Sequence, residues 1–152
     1  QEIYCDRYLY DRLKNKEVLT INNSNYILIE FDYYEYTEIV EYVFNLIKLG
    51  YKPIIAHIER YTYFNWGSLY DLRQMGALIQ TNASCITGNN GKALKKNIIK
   101  AIKDGLIDFV ASDCHENREM NFGKAYKEIL KTCGQDVANN LFSLNAKKHF
   151  SI

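Results

Sequence analysis

Near the end of one apolar run, Asp113 and His115 set a carboxylate and an imidazole two residues apart. The run, Asp108-Phe109-Val110-Ala111-Ser112, follows the turn signal Asp104-Gly105 and reads as a buried strand. In extended backbone, residues two apart point to the same side, so both side chains can aim at one point just past the strand's carboxyl end. Carboxylate plus imidazole suits zinc, manganese or iron. Alone, Asp-x-His is also a common hydrogen-bonded turn. Two other strand-like runs end in the same kind of group: Tyr26-Ile27-Leu28-Ile29 in Glu30, and Pro53-Ile54-Ile55-Ala56 in His57. A single strand-end Glu often serves as a helix cap, and a single His as a satisfied core residue. Three strands delivering Glu, His and Asp/His to one rim argue for a shared metal site, because α/β folds keep their chemistry at the carboxyl ends of parallel strands. The set contains no thiolate, which fits a hard or borderline cation better than structural zinc.

Two arginines sit close to these residues in sequence. Arg60 lies three after His57, and Arg118 three after His115. Guanidinium groups beside a metal grip a phosphate in bidentate fashion; the alternative is a pair of surface salt bridges. Glu2 stands at a strand start, so strand geometry alone does not bring it to the rim.

The elements that must position these residues alternate strand and helix. A strand is expected over Glu2 to Tyr8, a short amphipathic segment over 9–18, and a brief extended piece over Leu19–Ile21 before the turn cluster Asn22–Asn25. Tyr26–Ile29 is almost purely apolar, as a strand covered on both faces should be. Ile39, Val43, Leu46 and Ile47 give Thr37–Leu49 a helical period, with Gly50 as its stop. A strand opens at Pro53, a helix capped by Ser68 runs to Met75, and Ala77–Thr81 forms a further strand. Gly88–Gly91 is a loop, followed by a helix over Lys92–Asp104 with a solvated lysine face, the strand at 108–112, a helix over Asn121–Thr132, a last helix over 136–142 and a tail from Asn145. Such alternation means a parallel β/α architecture.

The totals narrow the function classes. The 152 residues carry 19 basic and 18 acidic side chains, a net charge of +1, which argues against duplex nucleic acid as a partner. No apolar run approaches the roughly 20 residues of a membrane span. Residues 1–10 lack a basic segment followed by an apolar one, so no secretory leader is expected. The four cysteines are scattered without a Cys-x-x-Cys pair, which suggests reduced thiols in a cytoplasmic protein. The 13 tyrosines are spread along the chain and read as packing and surface residues.

Pro53-Ile54-Ile55-Ala56-His57-Ile58-Glu59-Arg60-Tyr61 resembles the P-I-I-A-H-P-E-R-Y signature of the CpsB/YwqE-type metal-dependent bacterial protein-tyrosine phosphatases, members of the polymerase-and-histidinol-phosphatase (PHP) superfamily. Gln1-Glu2-Ile3, Tyr26 to Phe31, Gln80 to Gly91, Ala111 to His115 and Leu141-Phe142 with Asn145 are similar to further stretches of that family in the same order. Ile58 stands where the family has Pro, and Cys114 where it has Ala.

The resemblance implies a fold, a ligand set and a substrate. The fold is the C-terminal part of a distorted PHP-type (β/α)7 barrel with parallel strands, residues 1–152 forming one phosphatase domain that is incomplete at its N-terminus. A whole β/α barrel takes about 250 residues, and the family's opening Asp-x-His-x-His motif has no counterpart here. Glu2 would bridge two metals, Glu30 and His57 would complete one of those sites, Asp113 would belong to the other, and His115 to a third. Arg60 and Arg118 would hold the phosphate. The metal would be manganese, with iron or zinc as alternatives. The substrate would be phosphotyrosine on a bacterial tyrosine kinase that regulates capsular or extracellular polysaccharide, and homo-oligomers are compatible with the pattern. Two other readings stand beside this one: a PHP-type phosphoesterase acting on a small phosphate ester, and a non-catalytic remnant that binds a kinase or oligomerises. With two histidines at ligand positions, this chain alone is expected to be catalytically impaired.

Overall fold

The computed structural model describes residues 1–115 and 120–151, so Arg118 lies outside the described residues. The chain packs as two compact units, Gln1–Ile79 and Gln80–Ile152. Among the described residues, five strands pair in the order β1-β2-β3-β4-β5, every pair parallel. The expected parallel α/β architecture is therefore present.

In the first unit, β1 (Glu2–Tyr4) runs beside β2 (Tyr26–Glu30), and β2 beside β3 (Lys52–Ile55). β1 is shorter than expected. Asp6 stops it by accepting the Tyr8 amide on its carboxylate at 2.9 Å, a local turn that leads into helix α1 (Leu9–Lys14). Leu9 and Leu13 of α1, four apart, are fully buried. The 3-10 turn Ile21–Asn23, with Asn22 at φ 50°, falls at the expected Asn cluster and takes only Ile21 out of the extended piece expected before it. β2 alternates: Ile27 and Ile29 are buried, while Tyr26 and Leu28 are half-buried. Its apolar run thus hides a one-sided burial.

Helix α2 (Ile39–Lys48) buries Ile39, Val43 and Leu46, the stripe its period implied, and Gly50 takes the left-handed conformation that follows it (φ 89°). β3 begins at Lys52, with Pro53 second. Helix α3 (Leu69–Met75) is not capped by the Ser68 side chain; a 3-10 turn, Trp66–Ser68, precedes it, and Asn65 accepts the Gly67 amide there at 3.0 Å. α2 packs against β3 and α3. The start of β4 (Leu78–Asn82) pairs with β3 through Leu78 and Ile79.

In the second unit, Gln80–Asn82 of β4 pair with β5 (Phe109–Ala111). Helix α4 (Ala83–Thr87) was not expected; five residues are too few to show a period. Helix α5 (Lys92–Lys103) buries Ile98, Ala101 and Ile102. Its lysines are mostly exposed, but Lys95 ion-pairs with Glu128 at 2.7 Å. Glu128 lies on α6 (Phe122–Cys133), which packs on α4. The C-terminal segment is helical through Phe150, as α7 (Gln135–Asn139), a π-type turn Asn140–Leu144 and α8 (Asn145–Phe150). The expected tail is ordered because Asn145 donates to the Asp108 carbonyl at 2.8 Å and Phe150 stacks on Phe109 with centroids 5.4 Å apart. His149 packs edge-on against Phe109 at 5.9 Å, a structural position for the one histidine not proposed as a ligand. Among the described residues, no helix is long and apolar enough to cross a membrane.

Candidate metal centre

Three adjacent strands of the first unit bring Glu2, Glu30 and His57 together. In register, Glu2 lies opposite Leu28 and Tyr4 opposite Glu30, so Glu2 sits on the face that carries Glu30. β1 is only three residues long, so its first residue stands about 7 Å from its last along the strand. That distance is within reach of a glutamate, and this is why a strand-start residue joins strand-end ligands. The Glu2 carboxylate Oε1 lies 2.9 Å from His57 Nε2, and Glu30 Oε2 lies 3.9 Å from the same nitrogen. One donor atom from each of the three falls within 4.8 Å of the others. Ligands about 2.1 Å from a common ion stand up to about 4.2 Å apart, so small side-chain adjustments allow all three to hold one cation. The donor set and its spacing fit a divalent metal.

His57 reaches this point by leaving the strand conformation. Ile55 pairs with Ile29 on the buried face, and strict alternation would send His57 the same way. At φ 29° and ψ 58° the backbone is left-handed, which is uncommon for a non-glycine residue, and the imidazole turns toward the two glutamates. Such conformations persist where surrounding structure over-determines them, and they gather at functional sites. The side chain is 1% exposed. Tyr33 and Tyr61 pack against the ring, with centroids at 5.6 and 6.0 Å.

The electrostatics follow from the geometry. The hydrogen bond from His57 holds the Glu2 carboxyl down at about 2, against the opposing effect of burial. Glu30 moves the other way: burial, then the hydrogen bond shared with Glu2, raises it. One carboxylate is thus committed to the anion while its neighbour resists ionising, the arrangement expected where positive charge is to be added.

Arg60 ends the 3-10 turn Ile58–Arg60 that follows His57 directly. Its Nη1 donates to the Tyr33 hydroxyl at 2.9 Å, and its guanidinium carbon lies 5.5 Å from the centre of the Tyr33 ring. Ile58 is fully buried, so this turn is anchored by packing where the family has Pro. Sequence reasoning missed Tyr33 and Tyr61. One tyrosine among many gives no signal, although Tyr61 stood inside the His57–Tyr61 motif.

In the second unit, Asp113 and His115 meet, His115 Nε2 lying 3.0 Å from Asp113 Oδ1. They do so by a turn rather than by extended alternation, because Asp113 has φ 46°. Asn82, 3% exposed, donates to Asp113 Oδ2 at 3.0 Å and accepts from Gln80 Nε2 at 2.8 Å. Gln80 and Asn82, two apart on β4, thus form a relay that steadies the carboxylate. Glu2, Glu30, His57 and Arg60 belong to one unit, Asp113 and His115 to the other.

The family described as capsular polysaccharide synthesis, CpsB/CapC, matches residues 1–151. The chain belongs to the CpsB/CapC family. It is 33% identical over 156 residues to the tyrosine-protein phosphatase CpsB of Streptococcus agalactiae, covering 96% of this chain and 64% of that protein. To the tyrosine-protein phosphatase YwqE of Bacillus subtilis it is 36% identical over 125 residues, covering 80% and 49%. A solved structure, from work on YwqE of B. subtilis and CpsB of Streptococcus pneumoniae described as unique metal-dependent tyrosine phosphatases, superposes with a TM-score of 0.81 at 31% identity, covering 91% of this chain and 58% of that one. The chain therefore spans less than two thirds of the length of these CpsB/CapC relatives.

Proposed function

We propose that this CpsB/CapC family member serves as a metal-dependent protein-tyrosine phosphatase. The observation that carries the reading is the convergence of Glu2, Glu30 and His57, with Arg60 ending the turn that starts beside His57. These three residues hold one divalent ion, manganese by preference, with iron or zinc as alternatives. Asp113 and His115 act as metal ligands in their own unit, and Arg60 with Arg118 holds the phosphate. The five parallel strands belong to a PHP-type barrel. The substrate is phosphotyrosine on a bacterial tyrosine kinase that controls polysaccharide production in the cytoplasm.

The chemistry a bound divalent ion supplies there is Lewis-acid activation of water and of a phosphoryl oxygen. The chain's own residues do the rest. Glu2 stays anionic and balances cationic charge. His57, fixed by the tyrosine rings and its left-handed backbone, presents Nε2 without rearranging. Arg60 is aimed by the Tyr33 hydroxyl and offers planar N–H donors to phosphoryl oxygens as charge develops on them. Cys114 carries no nucleophilic role in this scheme.

The test is phosphate release from a phosphotyrosine peptide and from small phosphate esters, with manganese and with chelator. Manganese-dependent turnover of the peptide is expected. Turnover confined to small esters would assign a different phosphoesterase, and metal binding without any turnover would leave a binding role. Arg60→Ala should lower turnover at least tenfold while manganese affinity stays near wild type; loss of metal in that variant would remove Arg60 from the phosphate.

A further inference from the structure

Tyr61 occupies an unusual place between β2 and β3. The last direct backbone bond between these strands is Ala56 N–H to Ile29 carbonyl, at 2.9 Å. In a parallel ladder the next bond would run from the Phe31 N–H to the Ala56 carbonyl. That bond is replaced. The Tyr61 hydroxyl accepts from the Phe31 amide at 3.1 Å and donates to the Ala56 carbonyl at 3.0 Å. A phenol oxygen is thus inserted into the ladder one step past its end, and it splays the two strands there. Phe31 directly follows Glu30, and Ala56 directly precedes His57. The ring behind the hydroxyl is 3% exposed and packs on Phe31, with centroids 5.7 Å apart and planes at 84°, and on His57. It has little room to move.

We propose that Tyr61 is a positioning residue: its hydroxyl sets the separation of the Glu30 and His57 backbones, and thereby the spacing of the donors offered to a divalent cation. The inference rests on the metal role proposed for those two residues. Without the hydroxyl, either Phe31 N–H closes directly on the Ala56 carbonyl, drawing the ligands together, or both groups lose their partner in a buried place. Either outcome displaces Glu30 or His57. It also releases the left-handed turn at His57, which Tyr61 holds from both ends of the motif. Groups that orient metal ligands typically change affinity by about 10–100-fold when lost.

Tyr61→Phe removes the oxygen and keeps the ring. Tyr63→Phe is the matched control, because the Tyr63 hydroxyl donates to the Asp32 carbonyl at 2.8 Å nearby but bridges no ligand-bearing strand ends. Three readouts are taken: manganese affinity by calorimetry, thermal unfolding in chelator, and the His57 ring resonances of the metal-free protein. A loss of thermal stability is expected in both variants. Only Tyr61→Phe should weaken manganese binding by about 10–100-fold and shift the His57 signals. Wild-type affinity and unchanged His57 signals in Tyr61→Phe would reduce the residue to an ordinary core contact and overturn the proposal. Failure of the wild-type protein to bind manganese would remove the metal reading itself, and the His57 resonances would then still decide whether Tyr61 sets the imidazole.

Discussion

The two candidate ligand sets are built by different means. Glu2, Glu30 and His57 come from three neighbouring parallel strands, and their spacing is set by the β ladder and a buried tyrosine. Asp113 and His115 come from one loop after one strand, and the His115 side chain is 68% exposed. Each set holds one residue in the left-handed region, His57 or Asp113. Around His57 that conformation is enclosed by Ile58, Tyr33 and Tyr61. Around Asp113, the carboxylate meets the buried amide of Asn82 and the exposed His115 imidazole. A site framed by strands keeps its geometry without an ion, whereas a loop-borne pair depends on whichever neighbour grips it.

The largest expected effect separates the two sets directly. His57→Ala should weaken manganese binding by well over the roughly 100-fold that marks loss of a supporting group, since it removes the buried imidazole from the proposed three-donor cluster. His115→Ala, which removes an exposed imidazole, should leave that affinity within about tenfold. Calorimetric titration with metal analysis of each variant checks this. Equal losses in the two would erase the distinction between strand-framed and loop-borne ligands.

A smaller effect is expected at Asn82. Asn82→Ala withdraws one partner from the Asp113 carboxylate, in part-buried surroundings, and one from the buried Gln80 amide. A cost of about 1–3 kcal/mol follows from losing such hydrogen bonds, measurable by urea unfolding in chelator. Asn82→Asp should cost more, because it sets a carboxylate against a carboxylate. An Asn82→Ala protein as stable as wild type would show that the turn at Asp113, not the relay, holds the second set.

The strands and the polar residues at their ends were legible because burial writes apolar runs and turn chemistry punctuates them. Glu30, His57 and Asp113 could be found that way. Glu2 could not, because its place depends on the shortness of β1, and Asp6 ends that strand through a side-chain turn which composition does not announce. The direction of the His57 ring was equally hidden. Alternation gives the wrong face, and only the left-handed backbone corrects it. Tyr33 and Asn82 act through hydrogen bonds that join residues 27 and 31 apart, and Tyr61 through two, to residues 30 and 5 away, and no local period records contacts of that kind. Helix α8, where a tail was expected, was missed for a related reason, since Asn145 and Phe150 are ordered by partners on and next to β5.

The smallest effect concerns acid. In the metal-free protein the Glu2 carboxyl is held at about 2, below its ordinary 4.5, chiefly by the His57 hydrogen bond. A depressed carboxyl stabilises the fold above the unfolded value and loses that contribution as pH falls from about 4.5 toward 2. Glu30 is shifted upward, chiefly by burial, so its contribution has the opposite sign: the fold gains as pH falls through the raised value and Glu30 takes up its proton. The two partly cancel, and Glu2 is 36% exposed, so solvent screening keeps the net slope shallow. Glu2→Gln removes the first contribution and relieves Glu30 of an acidic neighbour. Urea unfolding in chelator at pH 5, 4 and 3 should therefore show a steeper acid loss in wild type than in Glu2→Gln. The same substitution at Glu30 should steepen the loss, because only the Glu2 contribution then remains. Parallel acid slopes in all three proteins would mean that the Glu2–His57 contact does not form until an ion is bound. The strand-framed set would then need its metal as much as the loop-borne one does.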